Sequence, residues 1–123
     1  MLEGLPQIEG QLGRVCTPWF RFFLDYDPRP ALRKVTCPVL ALDGEKDLQC
    51  DAQANLSAIA AALKEGGNRD VTIKEFPGLN HLFQTCKTGA VSEYGAIEET
   101  LAPAVLETIG NWILKRTNGS GIR

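Results

Sequence analysis

One histidine, His81, stands among 123 residues, in the stretch Pro77-Gly78-Leu79-Asn80-His81-Leu82-Phe83-Gln84. Imidazole is the side chain that gains and loses a proton near neutral pH, so acid–base chemistry by the usual route runs through this residue. Upstream, Gly44-Glu45-Lys46-Asp47 offers a carboxylate able to orient the ring. An acid and a histidine in that order commonly serve a serine held in a G-x-S-x-G turn, and the chain contains no such turn. The residues therefore spell two thirds of a nucleophilic triad, with Asp47 and His81 as the site residues and no evident nucleophile beside them.

Each of these residues also has a plainer reading. His81 can be a loop histidine bonded to backbone. Asp47 can be a turn acid that caps the next helix, and Asp43 or Asp51 can compete with it to orient the ring. Cys50 follows Asp47 by three residues and Cys86 follows His81 by five. A thiol nucleophile is conceivable chemistry, but nothing in the pattern marks an oxyanion hole beside either cysteine. Ser57 falls in a helical pattern and Ser92 in a glycine-containing loop, and both read as structural. Cys16, Cys37, Cys50 and Cys86 have no C-x-x-C spacing and no second histidine to complete a zinc site. They are expected to be reduced thiols packed as small apolar residues, and no metal or organic cofactor is expected.

The elements that must position the pair are a strand, a helix and a second strand. Cys37-Pro38-Val39-Leu40-Ala41-Leu42 is a short apolar run ended by Asp43-Gly44, the pattern of a parallel strand buried on both faces. Residues 51 to 65 read as a helix, because Leu56, Ile59, Ala60 and Leu63 recur at helical spacing and Gly66-Gly67 supplies a stop. Val71 to Phe76 alternates apolar and polar residues, as a half-exposed edge strand does. A right-handed crossover of this kind makes the strands parallel and puts Asp47 and His81 in the loops that follow them, where catalysis normally sits.

Outside this unit, Thr17-Pro18 caps and starts a short aromatic helix carrying Trp19, Phe20, Phe22 and Phe23. Its aromatic side chains are expected to pack on the sheet or, alternatively, to line an apolar acyl pocket. A final helix is expected from about Thr100 to Arg116, with Leu101, Val105, Ile109, Trp112 and Ile113 along one stripe. Residues 1–16 read as an irregular arm, 17–116 as one α/β unit and 117–123 as a disordered tail.

A formal net charge of −2 with scattered Lys and Arg gives no basic field, which argues against nucleic-acid binding. No stretch approaches a membrane span or a secretory leader, so a cytoplasmic location is expected.

The order of apolar strand, Leu42-Asp43-Gly44-Glu45-Lys46-Asp47 loop, helix, second strand, Pro77-Gly78-Leu79-Asn80-His81 loop and amphipathic helix resembles the C-terminal portion of a serine α/β-hydrolase. The likeness is to the bacterial esterase, dienelactone-hydrolase-like or prolyl-oligopeptidase-like branch and covers roughly residues 17 to 115. It implies a partial α/β-hydrolase fold in which Asp47 orients His81 and His81 moves the proton of a nucleophile. The earlier strands, oxyanion loop and serine elbow of that family have no counterpart here, so the resemblance implies a truncated unit, weakly active or inactive alone.

Two function classes follow. One is a fragment of a carboxylic-ester hydrolase acting on a small ester, with the serine supplied by another segment or chain. The other is a non-catalytic α/β module that self-associates or binds a partner. The strand at 39–42 has an evident neighbour on one side only, so a homodimer completed through that edge is expected. The substrate itself is not legible.

Overall fold

The structure, a computed structural model, describes residues 5–118. The chain forms a mixed α/β unit around a two-stranded parallel sheet. Strand β1 is Val39–Gly44 and β2 is Val71–Phe76, in unbroken parallel register from Val39 opposite Val71 to Gly44 opposite Phe76. The helix between them, α4, spans Ala52–Glu65 and buries Ala52, Leu56, Ala62 and Leu63, while Ile59 and Ala60 are half-buried. Asp51 caps it by accepting the Ala54 amide at 2.7 Å, and Gly67 beyond its end adopts φ +83°, a conformation that favours glycine.

The last helix, α5, spans Pro103–Thr117, starting three residues later than the sequence pattern suggests because Pro103 takes the first turn and Ala102 is the cap. Val105 and Ala102 join Phe76 and Leu79 in the core, flanked by Leu42, Phe83, Leu101 and Ile109. Further along α5, the Trp112 indole donates to the Thr72 hydroxyl at 3.2 Å, and the Arg116 guanidinium lies 3.8 Å over the Trp112 ring while pairing with Asp70.

Four expectations are corrected. Residues 5–15, expected to be irregular, form helix α1, Leu5–Val15. β1 is not buried on both faces: its residues up to Asp43 are only half-buried, because a two-stranded sheet leaves one of its edges open. The aromatic helix α2, Pro18–Asp25, starts where expected, with the Thr17 hydroxyl accepting from Phe20, but it buries no residue and is not packed on the sheet. Trp19 and Phe23 stack on each other 5.7 Å apart instead. Cys16, Cys37 and Cys50 are exposed thiols and not packed small residues, and Cys86 is half-buried.

A short helix α3, Arg29–Leu32, and a 3-10 segment at Val91–Ala96 complete the described elements. The tail expected to be disordered lies outside the described residues from 119 onward. No helix among the described residues is long and apolar enough to cross a membrane.

Candidate functional site

The two loops that follow β1 and β2 are tied together by backbone. The Glu45 amide donates to the Phe76 carbonyl at 2.8 Å and the Lys46 amide to the Leu79 carbonyl at 2.9 Å. This approach requires Gly44, since a Cβ there would lie 2.4 Å from the Leu79 oxygen. A Cβ at Gly89 would likewise lie 2.0 Å from the Lys46 carbonyl, so the β1 loop is gripped from two sides.

The second loop is built on Asn80, whose side chain is fully buried. Its Oδ1 accepts the amides of Leu82 and Gln84 at 2.9 and 3.0 Å, and its Nδ2 donates to Gln84 Oε1 at 3.1 Å. Gln84 in turn donates to the Glu99 carbonyl at 3.0 Å. The turn closes through Phe83, a non-glycine residue at φ +56°, whose ring meets Phe76 edge-on in the core. A left-handed residue held by core packing two positions from His81 fixes where the imidazole emerges.

His81 emerges against Asp47. Its Nδ1 lies 2.7 Å from Asp47 Oδ2, while the other ring nitrogen has no hydrogen-bond partner among the described residues. The Asp47 side chain is 2% exposed and the His81 side chain 37%. Asp47 Oδ1 accepts the amides of Gln49 and Cys50 at 2.8 and 2.9 Å, so the carboxylate is anchored on one oxygen and offers the other to the ring. Burial pushes its carboxyl up, but the Cys50 amide, the His81 ring, the Gln49 amide and Asp43 together hold it below the usual carboxylate range. Neutral imidazole with its Nδ1 proton directed at this carboxylate exposes a basic Nε2, the arrangement a general base needs.

Of the competing acids, Asp51 caps α4 and Asp43 accepts its neighbour's amide, Gly44, at 2.8 Å. The carboxylate that meets His81 is Asp47. Asp43 is nonetheless part of the electrostatics. Burial raises its carboxyl above the ordinary value against the opposing Gly44 hydrogen bond, and the adjacent Asp47 raises it further.

Cys50 is the residue the sequence reading undervalued. Its Sγ, an oxygen of Asp47 and a ring nitrogen of His81 all lie within 4.8 Å of one another. Burial and the charges of Asp47 and Asp43 push the Cys50 thiol up, the reverse of what activates a thiolate nucleophile. The D-x-x-C spacing was visible, but its meaning depends on Asp47 folding back onto the Cys50 amide. Cys86 is occupied elsewhere, its thiol donating to the Gly78 carbonyl at 3.5 Å. Ser57 is exposed on α4 and Ser92 lies in the 3-10 segment, and neither bonds His81.

An apolar groove of about 540 Å³ runs between β1 and α5, lined among others by Leu40, Leu42, Phe83, Val105, Trp112 and Ile113. Phe83 joins it to the base of the His81 loop. The site thus holds an oriented acid–base pair, and the apolar groove, which neither Asp47 nor His81 lines, meets its loop at Phe83. No protein-family model, curated protein or solved structure matches the chain.

Proposed function

We propose that the chain carries the acid and base of a serine-type carboxylic-ester hydrolase, as the resemblance to the C-terminal part of an α/β-hydrolase implies, and that it is weakly active or inactive alone. The observation that supports this reading is the 2.7 Å contact between Asp47 and His81, made by loops at the same end of two paired parallel strands, with Nε2 left free. In the proposed chemistry, Nε2 removes the proton of a hydroxyl supplied by another segment or chain as its oxygen attacks the ester carbon. Asp47 stabilises the imidazolium, which then protonates the departing alkoxide. The groove beside Phe83 suits an apolar acyl group of modest size.

The test is hydrolysis of a short-chain nitrophenyl ester by the purified chain beside His81→Ala. Turnover is expected to be near background in both. When a chain bearing a G-x-S-x-G turn is added as the source of the serine, rate enhancement is expected only with the unsubstituted protein. Enhancement that survives His81→Ala would overturn the assignment.

A second reading is favoured by a different observation, the open edge of β1 beside the groove. Here the chain is a self-associating α/β module, pairing two β1 edges across a two-fold axis into a four-stranded sheet. The two readings are compatible in one molecule, and light scattering tests the second independently of any turnover.

A further inference from the structure

We propose that Asp47, Cys50 and His81 form a binding site for a zinc-class divalent cation, one ion per chain. Two loops supply the three donors: Asp47 and Cys50 come from the β1–α4 connection and His81 from the loop after β2. Oxygen, sulfur and nitrogen ligand atoms lie within 4.8 Å of one another. Around a tetrahedral zinc with bonds of ~2.0–2.3 Å, ligand atoms sit about 3.5 Å apart. Asp47 Oδ2 and His81 Nδ1, 2.7 Å apart, therefore need to part by under about an ångström while the widest pair closes by roughly one, and the side chains that must turn are the exposed Cys50 and the partly exposed His81. Asp47 needs no rearrangement, because the Gln49 and Cys50 amides already hold its carboxylate.

Charge favours the same occupant. A buried carboxylate, Asp47, lies within 4.8 Å of the Cys50 sulfur, and a negative group held there attracts a cation. When the Sγ–metal bond forms, Cys50 releases its S–H proton to solvent. Thiolate and Asp47 carboxylate then balance the ion's two positive charges, with neutral imidazole as third ligand. Sulfur and nitrogen donors select zinc and its neighbours over magnesium or calcium, which take oxygen shells. Three protein ligands leave one tetrahedral position to solvent.

Binding does not depend on the hydrolase reading. Its consequence does: an ion there engages both Asp47 and His81, so the loaded chain has no free base and any proton transfer by the pair stops.

The test is a titration of the reduced full chain with cobalt(II), a spectroscopic stand-in for zinc, with no ester present. A thiolate-to-cobalt charge-transfer band is expected to saturate at one equivalent and to be displaced by zinc. It is expected to disappear in Cys50→Ser, to need at least about tenfold more metal in His81→Ala, and to persist in Cys86→Ser. Circular dichroism of the exposed-site variant Cys50→Ser separates loss of the site from loss of fold. Absence of the band in the unsubstituted chain, its survival in folded Cys50→Ser, or unchanged affinity in His81→Ala would each overturn the proposal. None of these outcomes bears on ester hydrolysis, which is read separately.

Discussion

Asp43 and Asp47 are four residues apart in one turn and titrate in opposite directions, and that difference has a consequence for stability. Asp47 has a folded pKa below its unfolded value, so its contribution is present above the ordinary carboxylate range and is lost as pH falls through the folded pKa. Asp43 is raised, so its contribution is fully present below the unfolded pKa of ~3.9 and is lost as pH rises through the folded value. At neutral pH an ionised Asp43 beside Asp47 therefore costs stability. Asp43→Asn keeps an oxygen to accept the Gly44 amide and removes the like charge. It is expected to raise stability at pH 7 by a few tenths to about 1 kcal/mol, the scale of a screened charge pair, with the gain fading below pH ~4. Thermal melts of both proteins at pH 3 and pH 7 check this, and an equal or lower melting temperature at pH 7 would refute it. Asp47 and His81 could be picked out from the sequence because loops after parallel strands converge at one end of a sheet. The proximity of Cys50 was not read from the sequence, because the turn in which an Asp side chain accepts the amides two and three residues ahead was open to Asp43, Asp47 and Asp51 alike, and the fold decides that Asp47 makes it onto Cys50.

At the scale of elements, the second strand, the crossover helix and the final helix were readable from a period and a punctuating residue, and the first strand from an apolar run ended by Asp43-Gly44. Val71–Phe76 matches its alternation, and α4 starts after its Asp51 cap. Helix α1 escaped because Gly10 and Gly13 lower its propensity and mask its pattern. Helix α2 was legible as a helix but not in its packing: it buries no residue and its aromatic rings stack on one another, while none of them lines the apolar groove between β1 and α5. The His81 loop shows how an irregular segment is held without periodicity. Asn80→Ala would orphan the buried Gln84 amide and side-chain oxygen and the part-buried Leu82 amide. Each buried group left unpaired costs about 1–3 kcal/mol, so a loss of about 2–4 kcal/mol is expected after partial relaxation. Urea unfolding measures it. A loss under about 1 kcal/mol would mean that the loop does not depend on Asn80.

The whole molecule has a thin core for its length. Among the described residues Phe76, Leu79, Ala102 and Val105 form one small buried cluster and α4 buries Ala52, Leu56, Ala62 and Leu63, while Trp19, Phe22, Phe23 and Leu24 are each at least 60% exposed. Two parallel strands with an open edge are marginal alone, and an unpaired apolar edge is a template for another strand. Pairing of β1 with β1 of a second copy would satisfy that edge and place the two grooves beside the new seam, where Leu40 and Ile113 could be covered together. The expected mass in solution is therefore twice the chain's 13.4 kDa. Ile113 lines the groove and is 47% exposed, so replacing it by lysine should cost the isolated chain little while placing a charge in the proposed seam. Ile113→Lys is expected to weaken association by about tenfold or more, as loss of an apolar anchor at an interface does. Light scattering across a dilution series from high to low micromolar distinguishes the outcomes. A dimer whose dissociation shifts to higher concentration in the variant supports pairing at this seam. An unsubstituted chain that stays monomeric throughout removes the basis for the self-associating module, and an equally tight dimer in Ile113→Lys moves the contact elsewhere, with the exposed aromatic face of α2 the next surface to substitute.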